Sequence, residues 1–244
     1  MINPITFVLT SCDRHDLLEL TLLSFIENNK YPIAQYIFIE DSPKEDSIRT
    51  VLDKFPELKG YILIVNNPKL GQMRSIDLAY SYVKTEYIFH CEDDWKFLRS
   101  NFIEESLSIL EENKNIMTVW LREQSDTNGH PIEKTTFSTK TGVDYKLMAT
   151  KYLRIWHGFT LNPGLRRLSD YKKVGLFYTN GHEGEASVIF HSLNFRGAIL
   201  NKGAIEHEGW NRHIQDTVHL NRDKTQLRIK SFFRKVKKFF SKRH

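Results

Sequence analysis

Glu92, Asp93 and Asp94 follow directly on the apolar run Tyr87-Ile88-Phe89-His90-Cys91, and Trp95 comes next. Adjacent carboxylates repel one another, and clustering them is costly unless a cation lies among them. Hard divalent cations such as magnesium or manganese suit carboxylate oxygens and commonly share their coordination shell with substrate phosphates. The chemistry this pattern points to is a metal-held diphosphate, and hence a nucleotide-activated substrate. An acidic loop capping the following helix is the ordinary alternative, and the four residues alone leave both open.

Such acids need an element to present them. A short apolar run ending in carboxylates reads as a buried strand with the acids at its C-terminal tip, the edge where open α/β sheets bind ligands. Three more strands are expected upstream: Ile5–Leu9, Tyr36–Ile39 and Tyr61–Val65. Helical spacing recurs between them, over Asp16–Asn29, Asp46–Phe55 and Gly71–Tyr82. Strands alternating with helices predict a mostly parallel sheet. Downstream, a helix is expected over Phe102–Asn113, a strand over Ile116–Leu121, and a loop with a β-hairpin within 122–150. Phe159–Leu165 reads as a turn-rich connection, Glu185–Phe195 as a helix closed by Arg196-Gly197, and Ala198–Leu200 as a short strand.

The length of 244 residues and the 40% apolar content allow one sizeable domain with appendages. Cys12 and Cys91 form neither a disulfide nor a zinc pattern. Met1 runs into polar Asn3-Pro4, so no signal peptide is expected, and no apolar stretch reaches the ~20 residues needed to span a bilayer. A cytoplasmic location follows as the expectation. The net charge of +5 is uneven: nine of the 35 basic residues lie in 224–244, which has no acid, leaving 26 bases against 30 acids elsewhere, a net of −4.

Four blocks resemble, in order, those of GT-A-fold glycosyltransferases, especially the family 2 type. They are Ile5–Leu9 with Thr10-Ser11-Cys12-Asp13-Arg14; Phe38-Ile39-Glu40-Asp41-Ser42; Asn67-Pro68-Lys69-Leu70-Gly71 through Arg74 and Asp77; and Glu92-Asp93-Asp94, which is similar to the Asp-x-Asp element. The resemblance covers residues 5–100 well and 155–213 more loosely. It implies a GT-A fold: a Rossmann-like α/β domain over 1–221, with a mostly parallel central sheet and flanking helices. It also implies roles. Thr10 and Asp41 match nucleobase and ribose positions, although Asp41 also reads as an N-cap for the helix near Asp46. Arg14 matches a basic position near the diphosphate. Arg74 and Asp77 match the helix beside the nucleotide, with an i,i+3 ion pair as the plainer alternative. Asp94 is the implied metal ligand, and Asp93 faces ribose or donor sugar. Glu92 and Trp95 depart from the usual pattern.

The same resemblance implies a catalytic base at the start of a late helix, where Glu183 and Glu185 are the two candidates. Acids in a first helical turn are also ordinary dipole partners. A late His ligand maps to His207, and imidazole beside carboxylate favours Mn2+ over Mg2+. Trp210 reads as a sugar-stacking or core residue. The implied function is a metal-dependent, inverting transfer of a hexosyl group from a UDP-sugar to a hydroxyl of a lipid-linked or cell-envelope glycan. Two other classes stay open: an inactive GT-A-fold module that binds membrane or nucleic acid, and a nucleotidyltransferase, against which counts the lack of a Gly-rich phosphate loop followed by Lys.

Within 222–244, Ile229, Phe232, Phe233, Val236, Phe239 and Phe240 fall on one helical face and the basic residues on the other. A basic amphipathic helix with Phe on its apolar side reads as lying in a membrane interface. The expected address is the inner face of the plasma membrane, reached through an anionic surface, with no nucleic-acid partner. Packing on the protein body, binding to a partner, and contact of the basic face with nucleic acid are the alternatives.

Overall fold

The computed structural model describes residues 2–212 and 214. In chain order the strands are β1 (Ile5–Ser11), β2 (Gln35–Glu40), β3 (Ile62–Val65), β4 (Tyr87–Glu92), β5 (Trp95–Phe97), β6 (Ile116–Trp120), β7 (Ile132–Ser138), β8 (Asp144–Met148), β9 (Gly164–Arg167), β10 (Arg196–Leu200) and β11 (Ile205–His207). The helices are α1 (His15–Asn28), α2 (Glu45–Leu52), α3 (Gln72–Ser81), α4 (Phe102–Glu112), α5 (Leu168–Val174), α6 (Phe177–Asn180) and α7 (Glu183–Ser192).

The main sheet has the order β3-β2-β1-β4-β9. Its first four strands are parallel, and β9 pairs antiparallel with β4, placing Gly164 opposite His90 and Arg166 opposite Ile88. β1 is buried along its whole length, because layers cover both faces. Alternate residues therefore feed two cores. Phe7 and Leu9 join Phe25, Phe38, Phe89 and Phe102 on one side, whereas Val8 joins Ile37, Ile39, Ile76, Tyr80 and Ile88 on the other. The Phe7 ring lies 4.4 Å from Phe25 and stacks on Phe89 at 6.0 Å. Each such ring contributes about 1.5–3 kcal/mol by leaving water.

A second sheet has the order β6-β10-β8-β7, with β6 and β10 parallel and the rest antiparallel. Its β7–β8 pair is the hairpin expected within 122–150. A small ribbon of β5 and β11 sets His207 opposite Trp95.

The long periodic helices and the four parallel strands stand close to where the sequence places them. The differences are local. Phe159–Leu165 is not only a turn, since Gly164 already opens β9. α7 starts at Glu183, two residues early, and stops at Ser192. Gly197 does not close it: the left-handed position after α7 is taken by Asn194 (φ 61°), a residue type that tolerates it. Gly197 instead lies in β10, where a Cβ would come within 2.1 Å of the Gly158 carbonyl oxygen.

The described residues 2–212 form one compact unit. The expected amphipathic helix over 222–244 lies outside the described residues. Among the described residues, no helix is long and apolar enough to cross a membrane.

Candidate active site

The C-terminal ends of β1, β2 and β4 bring the expected residues to one edge. Thr10 is paired between Ile39 of β2 and Glu92 of β4. Beyond β1 the chain turns through Asp13 (φ 53°), whose amide donates to Glu40 Oε1 at 2.8 Å. Glu40 is fully buried, and His15 Nε2 lies 3.4 Å from its other oxygen. This buried acid, unassigned in the sequence reading, fixes the loop that delivers Arg14.

Arg14 reaches both acids of the motif. Its guanidinium pairs with Asp93, and its Nη1 lies 2.7 Å from Asp94 Oδ2. The Cys12 amide adds a hydrogen bond to Asp93 Oδ2 at 3.3 Å. Burial pushes the Asp93 carboxyl up to about 6 against the pull of Arg14. Burial acts on Asp94 in the same direction, but His207 and Arg14 outweigh it and hold that carboxyl below its ordinary range. Glu92 is tied to Gln72 Nε2 at 2.6 Å and Trp95 Nε1 at 3.4 Å. Burial first, then the charges of Asp94, Glu183 and Asp93, push it to about 8.

His207 arrives from 113 residues away, and its Nε2 lies 3.2 Å from Asp94 Oδ2. The β5–β11 ribbon explains this approach, and the Glu208 amide extends it by donating to the Asp94 carbonyl at 2.9 Å. The next residue, Gly209, lies against the same carboxylate: a Cβ there would come within 2.2 Å of Asp94 Oδ2. Below, the buried Arg122 guanidinium lies 5.3 Å from the Trp95 ring and 5.7 Å from Trp210. The His207 ring lies 4.8 Å from each of these tryptophans. Trp210 is 53% exposed, so it is a rim residue and not a core one.

The donor set fits a divalent cation in part. One carboxylate oxygen and one imidazole nitrogen converge at 3.2 Å, close to the ~3 Å between neighbouring ligands of an octahedral ion bound at about 2.1 Å. Among the described residues, no group of three His, Cys, Asp or Glu side chains could hold a metal. An ion held by Asp94 and His207 would therefore complete its shell with phosphate oxygens and water.

Asp41 is buried, and its carboxylate accepts from the amides of Leu70 (2.7 Å) and Gly71 (2.9 Å) and from Asn66 Nδ2 (2.9 Å). It therefore organises the turn into α3, and does not cap α2. Asp77 is turned toward α6, accepting from the Tyr171 hydroxyl (2.8 Å) and the Phe177 and Tyr178 amides (both 2.9 Å). Arg74 lies 4.9 Å over the Tyr178 ring. The i,i+3 ion pair between Arg74 and Asp77 does not form among the described residues.

At the start of α7 the two glutamates separate. Glu185 Oε2 accepts from the His182 amide at 2.9 Å, half of a capping box. Glu183 turns inward, where its Oε1 accepts from the Leu161 amide at 2.7 Å. Burial pushes its carboxyl up, opposed by that amide, the Thr160 hydroxyl and the charge of Arg166. The segment before it packs on α7: a Cβ on Gly184 would meet Ile155 at 2.8 Å and Trp156 at 3.4 Å.

A parallel sheet with an antiparallel edge strand, an acidic motif at the tip of β4 and a histidine folding back onto it define the GT-A class of fold. The family model for glycosyl transferase family 2 matches residues 6–174. The chain belongs to that family. No curated protein matches the chain. Among solved structures it is similar to the mannosyltransferase PcManGT from Pyrobaculum calidifontis in complex with GDP-Man and Mn2+, at 11% identity and a TM-score of 0.64, over 87% of this chain and 59% of that one. It is also similar to S. aureus TarS 1-349 (12%, TM-score 0.57, 83% and 59%). A third is GalNAc-T7 with UDP, GalNAc and Mn2+ (11%, TM-score 0.62, 88% and 46%). At these identities the likeness concerns the fold, and the chain spans about half to three fifths of the length of these neighbours.

Proposed function

We propose that the protein is a metal-dependent, inverting glycosyltransferase that moves a sugar from a UDP-sugar to a hydroxyl of a lipid-linked or cell-envelope glycan. The convergence of Asp94 and His207 Nε2 at 3.2 Å, across 113 residues of chain, carries this reading. Family membership and the Mn2+ in two of the neighbours support it.

Asp94 and His207 are the residues that would hold Mn2+ or Mg2+, and the ion would supply Lewis-acid stabilisation of the charge growing on the departing diphosphate. Arg14, already seated on Asp93 and Asp94, lies where it adds a second positive charge to that leaving group. Asp93 faces the ribose or the donor sugar. Asp41 has three of its roughly four acceptor sites filled by protein, leaving one for a uracil N–H, with Thr10 beside it. Arg74, over the Tyr178 ring, is assigned to the nucleotide, while Asp77 acts through its support of α6. Glu183 is the base: its carboxylate takes the proton of the acceptor hydroxyl as that oxygen attacks the sugar C1. Glu185 holds the helix end that aims it.

The segment 224–244 adds the membrane. Its basic residues contribute about 1 kcal/mol each near an anionic surface, placing the enzyme on the cytoplasmic face of the plasma membrane, where lipid-linked acceptors lie. Co-sedimentation with phosphatidylglycerol vesicles, and its loss on deleting 224–244, checks this.

Thermal-shift binding of UDP, GDP and CMP, each with Mn2+ and with EDTA, tests the donor site. A Mn2+-dependent shift with UDP, abolished in Asp94→Ala, is expected. Equal shifts with EDTA would remove the metal role, and a shift with GDP alone would move the donor to another nucleotide.

A further inference from the structure

Arg166 is a cation buried in the interior without an ionic partner. It is 3% exposed, and its Nε and Nη1 meet no hydrogen-bond acceptor. Its Nη2 donates to the Asn162 carbonyl at 3.1 Å, and its guanidinium lies 5.7 Å from the Phe159 ring. Tyr80 and His90 stand beside it, also buried, with the Tyr80 hydroxyl and both His90 ring nitrogens unpartnered. Neither offers a negative charge: burial pushes the Tyr80 hydroxyl up to about 12, and burial together with Arg166 keeps His90 neutral. Two acids act on the Tyr80 side of this cluster, and both are engaged elsewhere, Asp77 with Tyr171 and α6 and Glu92 with Gln72 and Trp95.

A buried, uncompensated guanidinium is strongly destabilising, so its charge should have a use. Glu183 is a half-buried carboxyl that forms no ion pair among the described residues. The two hold adjacent residues of one short segment. Arg166 holds the carbonyl of Asn162, and Glu183 holds the amide of Leu161. The Asn162 amide in turn donates to the Thr160 hydroxyl at 3.1 Å.

We propose that Arg166 is a positioning residue for Glu183, fixing the Phe159–Asn162 segment on which that carboxylate rests and supplying the positive field that keeps it charged. The proposal rests on Glu183 being the base. The groups that act on Glu183 are the Leu161 amide and Thr160 hydroxyl before β9, Arg166 on β9 and Glu92 at the end of β4, while Glu185 on its own helix is engaged with the His182 amide.

The test is a 13C-carboxyl NMR titration of Glu183 in the full chain, its signal assigned by loss in Glu183→Gln. In Arg166→Met the midpoint should rise by about one pH unit, a tenfold change in proton affinity, with a smaller rise in Arg166→Lys. Affinity for UDP with Mn2+ should stay within about twofold, since the field acts on the acceptor side. In the wild type, the Arg166 15Nε resonance should report the Glu183 midpoint. This observation needs no substituted protein, and decides the matter should Arg166→Met fail to fold. An unmoved Glu183 midpoint, or a 15Nε signal blind to it, overturns the proposal. Full turnover in Glu183→Gln would overturn only the assignment of the base, because the titration reads the link between the two charges without any reaction.

Discussion

At Asp94, a carboxylate, an imidazole, a guanidinium and a glycine backbone meet, and the glycine admits the sharpest test. Gly209→Ala adds one methyl aimed at Asp94 Oδ2, at 2.2 Å, without removing any donor. Mn2+ affinity, read by the EPR signal of free Mn2+, should fall by about 10–100-fold, the range for disturbed support of a metal ligand; unchanged affinity would mean the ion binds elsewhere. The two glutamates of α7 divide in the same way. Glu183→Gln keeps the shape but loses the proposed base, and UDP release should drop by about 10²–10⁴-fold. Glu185→Gln keeps a side chain able to accept from the His182 amide, so turnover should hold, with helix stability changed by about 1 kcal/mol at most. The reverse pattern would exchange their roles. Sequence spacing alone could not choose between residues two apart, because which one points inward depends on where α7 begins. The Leu161 amide, 22 residues upstream, accounts for the inward turn.

At the scale of elements, α3 and α6 are joined by Asp77, a single buried carboxylate receiving three donors. Asp77→Ala leaves the Tyr171 hydroxyl and two amides without their acceptor. Stability should fall by about 1–3 kcal/mol, measured as a lower midpoint in urea denaturation with an unchanged slope; no loss would mean water replaces the carboxylate freely. The strands β1, β2 and β4 and helices α1, α3 and α4 were legible because each is a run of six or more residues whose apolar pattern matches its burial, and β3, only four residues long, because it is wholly apolar and continues the alternation of strands and helices. β5, β9 and β11 were not. Each has three or four residues, too short for a period, and each exists only because a partner strand far along the chain offers its edge. Arg166 was missed for the same reason: nothing in Leu165-Arg166-Arg167 tells which guanidinium meets the carbonyls of Leu110, Asn113 and Ile116 and the Asp170 carboxylate and which is left without an ionic partner.

For the whole molecule, His90 sets a pH dependence. Its ring is fully buried and neutral, held well below the ordinary imidazole range by burial and then by Arg166. In the unfolded chain it titrates near 6.5. As pH falls below about 6.5 the unfolded state takes up a proton that the folded state refuses, so stability declines by up to about 1.4 kcal/mol per pH unit. Glu92 and Asp93, whose raised carboxyls bind protons in the folded state over the same range, act in the opposite sense, so the His90 contribution is read as a difference: in chemical denaturation at pH 7 and pH 5, His90→Phe should lose less stability on acidification than the wild type. An unchanged slope in that variant would assign the acid sensitivity to other groups.

By itself the sequence determined the class of this protein. Contiguous apolar runs dictate the parallel sheet, and the acids of 92–94 and the residues of 10–14 and 40–42 follow those runs within a few positions, so their place at one edge is a local consequence of chain geometry. The tertiary structure decided the pairings: His207 with Asp94, Arg14 with Asp93, Asp41 with the turn into α3, and Glu183 with the segment that Arg166 braces. These link residues from roughly 20 to more than 100 positions apart. Their meeting depends on strand order and on which charges the interior can hold, neither of which is written in any local pattern.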